Sequence, residues 1–276
     1  VNVLTRSLLL LHLAALGLGL FGILVAIPHA AAWTNPGDVS FFVWAMPRAG
    51  WLGMTSGAIA MFVWGIYAIG WRRTCSFAAI AIVISAAAEL TGTKTGWPFG
   101  GYEYLTLLGW KIAGRVPFGV PLSWFYMGFA AYVLAGASIA PNNRRRGVIA
   151  VLFAAWLLTA WDLVLDPAMA AMPQIKFWQW HEHGPYYGMP LRNLLGWFGT
   201  GLTFISIGAW SWRGEPRWRE VDVTVPFVVY AANIVWSMVL ALSARIVPPV
   251  LVCILLSLLP AVLALRPRRV AAADGA

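Results

Sequence analysis

Charge is what this sequence is short of. Charged side chains make up 11% of its 276 residues, and 10 residues in all are acidic. A soluble domain carries about 25% charged residues. So little charge cannot cover a water-facing surface, which excludes an ordinary globular enzyme and a disordered chain. Cysteine is nearly absent. Cys75 and Cys253 stand far apart in the chain, so neither a disulfide framework nor a CxxC metal site is available. Histidine numbers only four. His181-Glu182-His183 suggests a metal site, but residues two apart do not share a helix face and no third ligand stands out. A solvated interfacial cluster is the expectation there. The glycine-rich stretch Gly96–Gly101 lacks the strand-loop-helix context of a phosphate loop. No long repeat, low-complexity tract or linker interrupts the chain, and residues 1–276 read as a single polytopic membrane domain.

Apolar residues fill the space that charge leaves. They account for 61% of the chain, and the mean hydropathy is +0.75. At ~20 residues per transmembrane helix, the length accommodates roughly eight spans. Apolar runs occur over Leu8–Ala26, Trp51–Trp71, Phe77–Leu90, Pro117–Ala140, Gly147–Leu165, Asn193–Trp212, Val223–Ser243 and Ile246–Leu265. They lack the period-2 alternation of barrel strands, and lipid offers no partner to unpaired backbone, so each is expected to be helical. The fold class is therefore an all-α integral membrane protein with two long Gly/aromatic-rich non-cytoplasmic loops. The net charge of +9 is a topology signal and says nothing of nucleic acid. With the N-terminus placed in the cytoplasm, every inner segment is basic: Arg6, Arg72-Arg73, Arg144-Arg145-Arg146, Arg213 to Arg219, and Arg266 to Arg269. The expected location is the cell membrane, with both termini cytoplasmic. His29-Ala30-Ala31-Ala32 resembles a signal cleavage site, but the apolar core before it exceeds the ~7–15 residues of a signal peptide. A retained first helix is expected.

The few acids are informative. Glu89, Asp162 and Asp166 fall within or at the end of apolar runs, where an acid costs ~2.5–3.5 kcal/mol at the membrane centre. Spacing by four places Asp162 and Asp166 on one helix face; alternatively Asp166 merely starts a turn before Pro167. Glu103 and Glu182 stand in the two long outer connections. Those connections are punctuated by glycine and aromatics, which suggests a hairpin or re-entrant element and a roof over a cavity between helices. Trp97, Tyr102 and Tyr104, flanked by glycines, are expected to face inward. Trp178 and Trp180 are expected in a headgroup-level aromatic belt.

Two blocks carry a resemblance. The first is Glu89-Leu-Thr-Gly-Thr-Lys-Thr-Gly-Trp-Pro-Phe-Gly-Gly-Tyr-Glu-Tyr104, followed by Val116-Pro-Phe-Gly-Val-Pro-Leu-Ser-Trp124. The second is Trp161-Asp-Leu-Val-Leu-Asp-Pro-Ala-Met169 with Gly184-Pro-Tyr-Tyr-Gly-Met-Pro-Leu-Arg-Asn193 and Gly196-Trp197. Together they resemble the membrane carotenoid-biosynthesis family that includes bisanhydrobacterioruberin hydratase and the carotenoid 1',2'-hydratases. The resemblance implies addition of water to the terminal isoprenoid double bond of an acyclic carotenoid, with no cofactor or metal. Its partners would be the carotenoid, water and membrane lipid.

Hydration of such an alkene needs a proton donor that holds its proton near neutral pH, and two neighbouring buried acids supply one. Asp162 is assigned as donor and Asp166 as its tuning or water-positioning partner. Glu89 is the rival donor and Glu103 a water base. Trp124, Trp161 and Tyr102 are candidates to face the cation, and Tyr187 and Asn193 to orient water. Trp97, Tyr104 and Trp197 complete the expected substrate contacts. The alternatives are a membrane prenyltransferase or lycopene elongase using Asp-x-x-x-Asp to hold Mg²⁺, a carotene cyclase, and a non-enzymatic carotenoid carrier or small-solute transporter.

Overall fold

The computed structural model describes residues 2–29, 35–172, 175–212, 214 and 216–264. The small-residue motif at Ala30–Ala32, Arg213, Glu215, Leu265, Arg266, Arg268, Arg269 and Asp274 lie outside the described residues. Each of the eight apolar runs corresponds to a helical segment. Helix α1 (Val3–Phe21) continues as a π turn through Ala26. It is followed by α2 (Pro36–Ala68), α3 (Trp71–Thr95), α4 (Gly119–Ile139) and α5 (Arg144–Ala171). Then come α6 (Leu191–Ser211), α7 (Thr224–Ser243), and a last rod made of α8 (Pro248–Cys253), a π turn and α9 (Leu259–Ala264). Six of these are long and apolar enough to cross a membrane, so the chain is built as a multi-pass membrane protein. Helix α6 is long enough but carries Arg192, Asn193 and a run of glycine, serine and threonine; the last rod is short.

Local chemistry sets the helix ends. Asn35 and Asn143 accept hydrogen bonds from the Gly37 and Arg146 N–H groups at 2.9 and 3.0 Å, satisfying donors that the first turn leaves free. Gly96 closes α3 in the left-handed conformation, with its N–H on Gly92 O at 2.8 Å. Two boundaries differ from the expected ones. Helix α2 starts at Pro36, well ahead of Trp51, because Asn35-Pro36 makes a strong helix start. Helix α5 does not end at Leu165. It runs through Asp166 and Pro167 to Ala171, so Asp166 is a helical residue and not the start of a turn.

Helices α4 and α5 are the most enclosed of the spans and form the centre of the bundle. The two long connections meet at one end, where β1 (Tyr102–Tyr104) pairs antiparallel with β4 (Trp178–Trp180). Between them in sequence, β2 (Lys111–Ile112) and β3 (Val116–Pro117) form a small hairpin. At the other end, Trp212 Nε1 donates to Arg73 O at 3.0 Å, joining the start of α3 to the end of α6.

Candidate functional site

The β1–β4 ribbon is the roof of the site. A strand alternates its side chains, so Tyr102 and Tyr104 point inward while Glu103 between them points out. The register sets Tyr102 opposite Trp180 and Tyr104 opposite Trp178, with ring centroids 5.4 and 5.9 Å apart. Glu103 instead accepts from Gln179 at 2.5 Å on the solvent side and stands 3.8 Å from His181. Beside the ribbon, Glu182 accepts from the Gly101 N–H at 2.9 Å and from Arg192. That N–H and the Arg192 guanidinium hold its carboxyl below the usual range. This cluster is solvated, as expected.

Beneath the roof, Glu89 emerges from α3 and is 3% exposed. Its carboxyl receives three donors: the Tyr102 hydroxyl, the Tyr104 hydroxyl at 3.0 Å and Trp124 Nε1 at 2.9 Å. Three donors converging on one carboxyl suit a group that only accepts. Burial, and then the Glu89 charge, push both tyrosines well above the ordinary phenol range, so they stay protonated and keep donating. The close approach depends on glycine. A Cβ on Gly92, one turn beyond Glu89, would stand 2.7 Å from Phe99 and 3.3 Å from the Tyr102 hydroxyl. A Cβ on Gly196 of α6 would meet the other edge of Phe99 at 2.6 Å. Phe99 is thus wedged between α3 and α6 by the absence of two side chains.

The second acidic element lies on α5. Asp162 and Asp166 are buried, one turn apart, and Asn193 of α6 bridges them with a single amide nitrogen, 2.7 Å from Asp162 Oδ2 and 2.5 Å from Asp166 Oδ2. The other Asp162 oxygen has no protein partner among the described residues. Helix α5 passes this point although Pro167 lacks the N–H that would pair with Leu163 O. That carbonyl is taken up from the second connection, where the Tyr186 hydroxyl donates to it at 2.9 Å. Burial pushes Tyr186 up to about 12, so it remains a donor.

Glu89, Asp166 and Asn193 line one cavity of about 140 Å³ whose remaining walls are almost wholly apolar and aromatic. Trp124 and Trp197 stack at 4.1 Å between centroids, and Trp161 meets Trp197 edge-on at 5.8 Å. Trp161 is held by its indole donating to Ser237 at 3.1 Å. Asp162 sits behind Asp166, outside the lining.

The structure therefore brings Glu89, Asp162, Asp166, Tyr102, Tyr104, Trp124, Trp161, Asn193 and Trp197 together. It separates three others from them. Glu103 faces water because strand alternation turns it away from its neighbours. Trp97 is 70% exposed, because the turn that follows Gly96 carries it outside the roof. Tyr187 has φ 54° at a loop tip and lies outside the cavity lining. The aromatic-belt reading of Trp178 and Trp180 is also corrected: both line the cavity, since they pair with inward-facing tyrosines. Sequence reasoning missed the far wall, formed by α1, α2 and α7. There His12 contacts Gly53 O at 2.8 Å and Asn233 at 3.0 Å, and Tyr126 donates to Asn233 at 3.0 Å. Asn233 within an apolar run was the available signal.

Residues 49–260 match the family described as carotenoid biosynthesis protein. A bisanhydrobacterioruberin hydratase of Haloarcula japonica is 35% identical over 130 residues, which is 47% of this chain. The chain covers 43% of that relative's length. No solved structure matches.

Proposed function

The chain belongs to the carotenoid biosynthesis family, and from that premise we propose that it is a hydratase adding water to the terminal isoprenoid double bond of an acyclic carotenoid. The observation that carries this reading is the chemistry of the cavity: Asp166 and Glu89 in its lining, with Asp162 bridged to Asp166 from behind, set within aromatic walls at one end of a membrane helix bundle. A pocket of about 140 Å³ suits an end group, with the polyene trailing into the bilayer.

Two carboxyls this close in a low-dielectric site cannot both ionise, so one retains a proton. Asp166 faces the cavity and Asp162 stands behind it, which exchanges the roles that the sequence alone assigned. Asp166 gives its proton to the less substituted alkene carbon, and the tertiary cation forms on the other. The aromatic wall that Trp124, Trp161 and Trp197 form borders that cation, and one ring face turned toward it is worth ~2 kcal/mol when desolvated. Glu89, fixed by three donors, supplies the countercharge. Water adds to the cation and its surplus proton returns to the Asp162–Asp166 pair, so the cycle closes without net change in the protein.

Expression in a lycopene-making bacterium, with mass spectrometry of the pigments, tests the reading. Gain of one or two waters per carotenoid is the expected result. New rings at unchanged mass would indicate a cyclase, and added prenyl mass a prenyltransferase; either outcome sinks the proposal.

A further inference from the structure

Water has few ways into the cavity. The lining on α4 runs from Val120 to Tyr126, near the start of that helix, and the lining on α5 from Trp161 to Met169, near its end. Farther along the bundle, Phe77, Phe129 and Phe204 are fully buried, and the Phe77 ring centroid lies 5.0 and 6.0 Å from the other two. That close-packed plug leaves water no path from the arginine-rich end. At the sides, bilayer hydrocarbon offers no water.

The roof is different. On its solvent side a second pocket, of about 320 Å³, is lined by the end of α3 and by Gly101, Tyr102, His181, Glu182 and Arg192. The His181, Glu182 and Arg192 side chains are solvated, and a polar pocket of this size has room for several waters. Among the described residues, Tyr102 alone lines both this pocket and the reaction cavity. Its hydroxyl reaches Glu89. Gly92, also in the pocket lining, keeps the boundary thin, since a Cβ there would stand 3.3 Å from that same hydroxyl. We propose that the polar pocket is the water inlet of the site and that the Tyr102 side chain is the partition that entering water passes. What the water is for rests on the hydratase reading; the route is a separate property of the fold.

The test reads the route without turnover. Hydroxyl radicals made from water by a brief X-ray pulse oxidise the side chains that water touches, and mass spectrometry locates the products. Trp161 and Trp197 line the cavity and are buried, so their oxidation reports water inside it. A plug is fitted after folding: Thr93→Cys, in lipid nanodiscs, is modified with a bulky charged methanethiosulfonate. Wild type given the same reagent controls for Cys75 and Cys253. Modification is expected to cut oxidation of both tryptophans severalfold, and lycopene hydration with it, while lycopene binding is retained. Buried Trp212, at the other end of the bundle, should stay as it was and so exclude unfolding. Tyr102→Ala should raise oxidation of Trp161 and Trp197 above the wild type, again with Trp212 unchanged. Cavity tryptophans that never oxidise, that the plug does not shield, or that Tyr102→Ala leaves as they were overturn the proposal. So does hydration that continues at full rate behind the plug. If the unmodified protein hydrates no carotenoid while the plug still shields the tryptophans, the proposed reaction fails and the inlet stands.

Discussion

At the scale of the residue, the site depends on what each carboxyl is bonded to. Asp166 reaches the cavity and shares the Asn193 amide with Asp162. Asp166→Asn removes the proposed donor, and hydration measured by pigment mass should fall by on the order of 10²–10⁴. Glu89→Gln replaces an acceptor-only group facing three donors with an amide that brings N–H groups of its own. It should cost on the order of 10² in rate while leaving pigment binding measurable. The tyrosines set a pH limit. Their phenols are raised above the ordinary value of 10.0 in the folded protein. Above about pH 10 the unfolded chain loses these protons first, so the folded state binds more of them and stability falls as pH rises toward the folded values. Thermal unfolding in detergent should therefore show a midpoint that is flat through neutral pH and declines above about pH 10. A midpoint indifferent to pH 11 would contradict the buried phenols.

At the scale of the element, two local devices hold the site together. The Tyr186 hydroxyl covers the carbonyl that Pro167 leaves unpaired, joining the second connection to the turn of α5 that carries the aspartates. Tyr186→Phe should destabilise the protein by about 1–3 kcal/mol, read as a lower unfolding midpoint. The Phe99 wedge is the second device. Gly196→Ala places a methyl 2.6 Å from that ring, and overpacking of this kind costs about 1–3 kcal/mol. How far the sequence disclosed these elements depends on the range of the interaction. Asp162, Asp166 and Glu89 were legible because acids in apolar runs are anomalous, and the spacing by four joined the aspartates. The outward turn of Glu103 was legible too: in Tyr-Glu-Tyr, two inward tyrosines require the residue between them to point out, provided the segment is taken as a strand. The pairing of β1 with β4 was not legible, since it joins residues as far apart in sequence as Tyr102 and Trp180. That pairing brings Trp178 and Trp180 over the cavity. The Tyr186–Leu163 and His12–Asn233 contacts join residues 23 and 221 positions apart, and no local pattern announces them.

At the scale of the molecule, the helices were readable from hydropathy because lipid permits no other use of a long apolar run. The boundaries were less so. Helix α2 extends to 33 residues, roughly 50 Å at 1.5 Å per residue, which exceeds the ~30 Å hydrocarbon core. The Gly101–Glu182 cluster and the Arg144–Arg146 run belong to connections that leave the bundle at opposite ends. The basic end is expected to face the cytoplasm. In intact cells, a cysteine placed at Glu182 should react with a membrane-impermeant thiol reagent and one placed at Arg145 should not; the reverse pattern would invert the topology. The most direct test of the account is hydration of lycopene by the membrane-embedded protein in D₂O, wild type beside Asp166→Asn. The account predicts one deuterium per hydrated end on the carbon beside the new carbinol in the wild type, and near-complete loss of product in the variant at equal protein level. Full activity of Asp166→Asn, or a carbinol whose neighbouring carbon carries no deuterium, would contradict protonation of the alkene from this carboxyl pair.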